Sequence, residues 1–312
     1  MTAPGTAPPV RGNDSLPARG RTRLVYRPSG SPREAATWDR RRVIATNLRS
    51  VVGRGFPRVI GTTREPSWLF FDLVLPFLTT SSFVFVYRAL GAPNQYIGFV
   101  VLGGAMTAFW LNVMWLMAAQ LYWEKDQGNL ELYFTAPIDM MSILFGMAIG
   151  GLVASAFRAA VVLAVGSLVY GVQFSVDGWA LLLVVFLLTL IALYGLGMVL
   201  ASLFLMWGRE AWHLTQLLTE PVYFVSGLNF PVGRLGFLGA LAVSTISLAV
   251  GLDAMRQLAF AGGIGPTGTP APEVEALILV AMTFAFLALA RVSLRSLEER
   301  ARRDGKLTVR WQ

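Results

Sequence analysis

Seven apolar runs separated by short polar segments limit the folds that this sequence can adopt. They occupy residues 67–87, 96–120, 141–172, 178–206, 213–229, 235–250 and 275–292. A helix needs about 20 apolar residues to cross the hydrocarbon core of a bilayer, and of these runs 235–250 falls clearly short. Only 14% of the residues are charged, whereas soluble domains carry about 25%. The runs therefore predict an all-α integral membrane protein.

Basic residues at both ends of the sequence determine whether the number of crossings is odd or even. Residues 1–66 contain 13 arginines, and residues 291–310 contain seven lysine or arginine residues. Because basic segments beside membrane spans stay in the cytoplasm, both termini are expected there and the number of crossings must be even. Joining 213–229 and 235–250 into one crossing gives six transmembrane helices.

The joined crossing contains residues that interrupt a helix. Gly227, Pro231 and Gly233 lie between its two apolar halves, and glycine and proline disfavour helix interiors. Non-helical backbone is tolerated at membrane depth where protein buries it. The sequence therefore predicts a re-entrant segment at 227–256 within span five, near the outer face.

Two segments precede the first span. Residues 1–37 are rich in proline, glycine and arginine, a composition typical of a disordered basic tail. Residues 38–62 predict an amphipathic helix with Ile44, Leu48, Val51 and Val52 on one face. We interpret it as a helix on the membrane surface, with a soluble amphipathic helix as the alternative. The remaining boundaries are a six-span domain at 63–300 and a cytoplasmic basic tail at 301–312.

Few polar features interrupt the spans. Away from their ends, the spans contain three charged residues, Asp72, Arg158 and Glu220. Such charges face protein or water because lipid exposure is costly. Arg158 and Glu220 are candidates for an ion pair or for charges that line a path. Glycine and small residues recur at four-residue spacing, which predicts that spans three and four pack tightly within the bundle. They include Gly146, Gly150, Gly197 and Ala201.

Residues for enzymatic chemistry are scarce. The sequence has no cysteine and one histidine, His213, so it lacks the residues for common zinc sites. It also lacks the G-x-x-x-x-G-K-[ST] phosphate loop. We therefore expect no catalytic residues, metal or cofactor on this chain. The net charge of +8 comes from segments expected beside the membrane, so nucleic acid is not an expected partner.

The loop at 121–140 is acidic, although the topology places it in the cytoplasm. Glu124 and Glu131 lie seven residues apart, which would place them on one face of a continuous helix. Leu130, Tyr133 and Phe134 would form an apolar anchor at helical spacing. The pattern is typical of a docking surface, and the alternative is a merely solvated loop. The candidate docking residues of this loop are Glu124, Lys125, Asp126, Gly128, Glu131, Tyr133, Phe134 and Pro137.

A second pattern lies in span five. The stretch EPVYFVSGLNFPVGRLG covers residues 220–236. With the acidic loop, it resembles the type-2 ABC exporter permeases, which show E-[RK]-[ED]-x-G-T-L-E and P-x-x-F-x-S-G-x-x-F-P elements in this order. The second element is matched at Pro221, Phe224, Ser226, Gly227, Phe230 and Pro231. Asn129 replaces the threonine of the first element, and the proline that usually precedes an arginine such as Arg256 is missing.

The resemblance, which covers about residues 38–300, implies a permease of the bacterial inner membrane. It implies a separate ABC ATPase subunit that binds ATP and Mg, and a second permease copy or paralogue. Residues 121–140 would be the coupling helix that contacts the ATPase. The cargo would be hydrophobic or amphipathic, a drug or a lipid-like compound. The residues expected along the path or at its outer gate are Phe70, Phe71, Phe224, Phe230 and Pro231.

Three alternatives stay open from the sequence. A lipid-linked glycan or polysaccharide exporter of the same class would share this topology. A membrane-embedded enzyme of lipid metabolism would need a cluster of catalytic polar residues at one membrane depth, which the sequence does not show. A passive channel would not need an acidic docking loop.

Overall fold

The computed structural model shows a helical chain. It describes residues 40–64, 66–136, 138–176, 178–207, 213, 216–217, 219, 222–223, 226–230, 246–260 and 270–304. Within these ranges, strand-like pairing is limited to an isolated bridge between Ser175 and Phe260. The predicted tail at 1–37 lies outside the described residues.

The helices follow one another with short connections. Their bounds are α1 (Arg40–Arg64), α2 (Pro66–Ala89), α3 (Asn94–Leu111), α4 (Gln120–Asp126), α5 (Asn129–Thr135), α6 (Met140–Tyr170), α7 (Trp179–Trp207), α8 (Ser247–Ala259) and α9 (Pro272–Asp304), with a π-helix at Asn112–Met117 between α3 and α4.

Four helical stretches are long and apolar enough to cross a membrane: Asn94–Asp126, Met140–Tyr170, Trp179–Leu205 and Pro272–Leu297. A shorter apolar stretch, Leu73–Ala89, lies within α2. The prediction of an all-α membrane protein is confirmed by these helices. Six crossings and a re-entrant segment stay predictions, because much of span five lies outside the described residues.

The stretch that contains α3 is the centre of the bundle. Of the 18 most apolar consecutive residues in this stretch, 89% are buried. The corresponding shares are 28% in Met140–Tyr170 and 22% in Pro272–Leu297. α3 packs against α2, α6 and α8, while the π-helix contacts α7. The outer helices expose large apolar side chains such as Phe157, Leu168 and Phe284. A helix that is apolar on all sides suits a membrane span, and lipid can cover these side chains.

Glycines on α6 let α1 approach closely. A Cβ atom added at Gly150 would lie 2.7 Å from the carbonyl oxygen of Gly55, and one added at Gly146 would meet the carbonyl oxygen of Val51. The sequence predicted that small residues let spans three and four pack tightly within the bundle, and the close approaches at Gly146, Gly150 and Gly197 agree with this. α6 packs mainly against α3, and Gly197 on α7 faces side chains of the π-helix. The spacing indicated close approach but not which helix approaches.

A pair of glycine substitutions should separate helix propensity from this helix crossing. Gly53→Ala, with no atom within 4 Å of the added Cβ, should raise the free energy of unfolding by about 0.5–1 kcal/mol, since alanine favours helices. Gly150→Ala should lower it by about 1–3 kcal/mol because the Cβ has no room. Thermal unfolding of both purified variants measures the difference. Equal shifts of the same sign would contradict the tight α1–α6 contact.

Candidate functional site

The acidic loop forms two short helices rather than one. α4 ends at Asp126, α5 begins at Asn129, and Gly128 between them has φ 78°. This left-handed conformation suits glycine because a Cβ atom would be strained there. The turn re-aims the chain, so the prediction that Glu124 and Glu131 lie on one face of a continuous helix is wrong.

Glu124 is buried at the centre of this loop, with 5% of its surface exposed. Its Oε1 pairs with the guanidinium of Arg54 and accepts a hydrogen bond from Gln120 Nε2 at 3.1 Å. Its Oε2 accepts from Asn129 Nδ2 at 3.0 Å and from the Tyr133 hydroxyl at 2.6 Å. A carboxylate offers about four acceptor sites, and these four donors occupy them. Glu124 therefore does not lie on the exposed side of the loop, where the prediction of a docking surface placed it.

The partners of Glu124 come from both α1 and the loop. The Arg54 guanidinium also lies 4.8 Å from the centre of the Tyr133 ring, a favourable cation–π distance. One turn further along α1, Arg58 Nη1 donates to Gln120 Oε1 at 2.7 Å. We call Arg54, Arg58, Gln120, Glu124, Asn129 and Tyr133 the Glu124 network. It fastens α1 to both loop helices.

A separate contact joins α1 to the start of α6. The backbone amide of Asp139 donates to Asn47 Oδ1 at 3.2 Å. The Asp139 carboxylate accepts a hydrogen bond from the amide of Met141 at 3.2 Å and thereby caps α6, as aspartate commonly does at helix starts. Displacement of the loop would therefore act on α1 and on α6.

Burial shifts the pKa of two members of the network, Tyr133 and Arg58. Burial, and then the hydrogen bond to Glu124, raise the pKa of Tyr133. The phenol therefore stays protonated at neutral pH and remains a donor. Burial also lowers the pKa of Lys125 and is the largest cause of a lowered pKa at Arg58. Burying the Glu124 carboxylate without partners would be costly, and the four donors around it offset that cost.

The opposite side of the loop is open. Asp126 and Leu132 are exposed, and Lys125 is half-buried. Leu130 is 1% exposed and belongs to the hydrophobic core, so its predicted place in an outward anchor is wrong. The side chains of Glu131 and Phe134, together with Pro137, lie outside the described residues.

Further polar residues lie beneath the network. The Tyr194 hydroxyl donates to Asn112 Oδ1 at 3.2 Å, and Arg158 Nε donates to the carbonyl of Ala154 at 3.4 Å. Asn112 begins the π-helix, and such segments often occur at functional positions. Sequence reasoning missed Asn112, whose only signal was an amide within an apolar run. Glu220 and the side chain of Asp72 lie outside the described residues, so the Arg158–Glu220 pair stays a prediction.

The predicted path residues occupy two places. Phe70 and Phe71 are exposed near the start of α2, with ring centres 5.8 Å apart. Phe230 lies near the other end, because the hydroxyl of Tyr87 donates to the carbonyl of Asn229. Sixteen residues of helix between Phe71 and Tyr87 correspond to about 24 Å. The structure therefore does not bring Phe230 and the α2 pair into one site, and Phe224 and Pro231 lie outside the described residues.

Removing the charge of Glu124 should weaken the chain, whereas the same change at Asp126 should not. Glu124→Gln leaves the half-buried Arg54 charge without its counterion. It should lower the free energy of unfolding by about 2 kcal/mol, a modest value for a buried pair because 29% of the Arg54 side chain is exposed. Asp126→Asn should change it by less than about 0.5 kcal/mol. Thermal unfolding of the two purified variants measures both.

The same measurement tests the pairing. If Arg54 and Glu124 act through each other, Arg54→Gln should cost little in the Glu124→Gln background, since the effects of contacting residues are not additive. Fully additive losses would contradict the ion pair.

One family of known proteins is similar to this chain. The family model described as ABC-2 type transporter matches residues 54–260, about two thirds of the chain. This region contains the Glu124 network and residues 213–250, which the sequence predicts to form span five. Among proteins of curated function, none matches the sequence. The family consists of membrane permease subunits, which are not themselves catalytic. Because the match extends over more than half of its length, the chain belongs to the ABC-2 type transporter family.

Proposed function

We propose that the chain is the permease subunit of an ATP-driven exporter of the bacterial inner membrane. Two permeases, either identical copies or paralogues, would work with two separate ABC ATPase subunits that bind ATP and Mg. Membership of the ABC-2 type family supports an ATPase partner. The observation that carries the proposal is the Glu124 network, because it gives the acidic loop a rigid inner attachment.

The two sides of the loop suit a coupling element. Asp126 and Leu132 provide an exposed acid and an exposed apolar side chain, a combination suited to a partner surface. Behind them, the Glu124 network holds the loop to α1. A push by the ATPase on the exposed side would therefore move α1 and the start of α6 together with the loop.

The proposed orientation places the loop, α1 and both termini in the cytoplasm, with six crossings between them. One face of α1 exposes Ile44, Leu48, Val52 and Phe56 at four-residue intervals. An exposed apolar stripe on a basic helix suits the boundary between lipid headgroups and acyl chains. This stripe supports the membrane-surface interpretation of residues 38–62.

The proposed cargo is a hydrophobic or amphipathic compound. The outward face of α2 is apolar along much of its length and includes Phe70, Phe71, Leu75 and Leu78. The hydroxyls of Thr79 and Ser82 on that helix donate to carbonyls of their own turn, at 3.0 Å in each case. Polar groups bonded in this way leave a surface suited to apolar ligands.

Disrupting the exposed side of the loop should uncouple the permease without unfolding it. In the variant Asp126→Lys/Leu132→Ser, both changes lie on exposed side chains, so the melting temperature should stay near that of the wild type. Recovery of an ABC ATPase with the purified permease should fall at least about tenfold, as expected when charge complementarity is lost at an interface. Quantitative mass spectrometry of permease purified from its own host membranes measures this recovery.

The control for this experiment is Glu299→Lys. It makes the same charge reversal on an exposed residue near the end of α9 and should retain the ATPase. Undiminished ATPase recovery with the loop variant would mean that the exposed side of the loop is not the docking surface.

The orientation is testable because the chain contains no cysteine. Single cysteines at Ser15, Gly262 and Gln312 would report the two ends and the predicted outer loop. An impermeant thiol reagent applied to intact cells should label the cysteine at 262 and leave those at 15 and 312 unlabelled until the cells are opened. Labelling at 312 in intact cells would give an odd number of crossings and contradict the proposed topology.

A further inference from the structure

A short non-helical segment lies inside the bundle, near the end of the helices that is opposite to the acidic loop. In residues 226–230 the chain bends, and the first four of these residues are buried. Gly227 has φ 77°, so the chain turns there in a conformation that favours glycine. Carbonyl groups in a non-helical segment lose their helical partners, and in a membrane protein they need other donors.

Arg256 supplies most of these donors from α8. Its Nη1 donates to the carbonyls of Gly227 and, at 3.3 Å, of Phe230. Its Nη2 donates to Leu228 at 2.9 Å and to Phe99 on α3 at 3.0 Å. The carbonyl of Asn229 between them accepts from the Tyr87 hydroxyl at 3.0 Å. Every carbonyl from residue 227 to residue 230 therefore accepts a hydrogen bond from Arg256 or Tyr87.

The guanidinium geometry is essential to this arrangement. Arginine presents five donors in a rigid planar fork, whereas lysine presents three donors from a single point. The Arg256 residue is only 1% exposed, and its guanidinium lies 4.9 Å from the centre of the Phe99 ring. Asp253, three residues earlier on the same helix, is also buried and places a carboxylate near this charge.

α3 is shaped to receive the segment. A Cβ atom added at Gly103 would overlap the carbonyl oxygen of Leu228 and would lie 3.1 Å from Arg256 Nη2. Only glycine at this position allows α3 to approach both groups. Three elements thus meet at one point: α3 through Gly103 and Phe99, α8 through Arg256, and the segment through its carbonyls.

We propose that Arg256 is a positioning residue that fixes residues 226–230 to α3 and α8, so that the three move as one body. This inference rests on the proposed transport function and on the expectation from the sequence that Phe230 belongs to the outer gate. The segment would then not rearrange by itself when the path opens. The moving boundary would lie between this body and its neighbours.

Hydrogen–deuterium exchange of the full chain in lipid nanodiscs tests the proposal on the wild type. Amides of residues 226–230, of α8 and of the part of α3 around Gly103 should become unprotected together as denaturant is added, because one opening event exposes all three. Loss of protection at 226–230 well before α3 and α8 would overturn the proposal, even if no variant folds.

Substitution of the arginine then tests its role. In Arg256→Lys, exchange at 226–230 should accelerate about tenfold, as expected when several bonds to a buried charged donor are lost, while α6 keeps its wild-type rates. Arg88→Lys is the matched control: Arg88 is exposed, and its guanidinium lies 5.4 Å from the centre of the Tyr170 ring. It should leave all these rates unchanged. Unchanged exchange at 226–230 in Arg256→Lys would overturn the proposal.

A transport measurement separates this inference from the proposed function. The permease reconstituted with its ATPase should keep hydrolysing ATP in the Arg256→Lys variant, while export falls at least about tenfold, because only the positioning of the gate is lost. A wild-type complex that hydrolyses ATP without export would contradict the proposed function and leave the exchange result intact. Wild-type export rates in Arg256→Lys would overturn the positioning role.

Discussion

A charged or polar group that leaves water must find its partners within the chain, and this constraint organises the loop around Glu124. The carboxylate draws donors from three helices, α1, α4 and α5. A buried carboxylate without such donors would cost several kcal/mol, so these helices cannot separate freely while it stays charged. The position of α1 against the loop therefore follows from one buried side chain. The close α1–α6 crossing at Gly150 adds a second constraint.

The same constraint operates at Arg256, where the buried charge is positive. There a buried cation collects backbone carbonyls from a non-helical segment and from α3. In both places a single ionised group holds together elements that are distant in sequence, and packing alone would hold them less specifically. The apolar surfaces between the helices supply area, but apolar contacts are non-directional. Hydrogen bonds to a fixed charge define which elements move together.

The sequence predicted the features that depend on local composition and missed those that depend on tertiary partners. Long apolar runs predicted α6, α7 and α9, since length and hydropathy suffice to predict a membrane helix. They did not give the burial of Glu124, because its counterion Arg54 is 70 positions earlier and no local pattern links the two. The spacing of small residues indicated a close contact at Gly150, but it could not indicate that the partner helix is α1. Gly128 matches the glycine of the acidic-loop motif. Its left-handed conformation separates α4 from α5, so the loop does not form the continuous helix that the sequence predicted.

The structure also changes the explanation for an acidic loop that the proposed topology places in the cytoplasm. Glu124 is an internal counterion for α1, and Asp126 is exposed, so the acids of one motif have different physical roles. Breaking a buried, hydrogen-bonded pair costs a few kcal/mol, whereas an exposed charge contributes less than about 1 kcal/mol to stability. Folding therefore constrains Glu124 strongly and Asp126 weakly. In this division of roles, one side of the loop is fixed to the permease, and under the proposed function the other side would bind the ATPase.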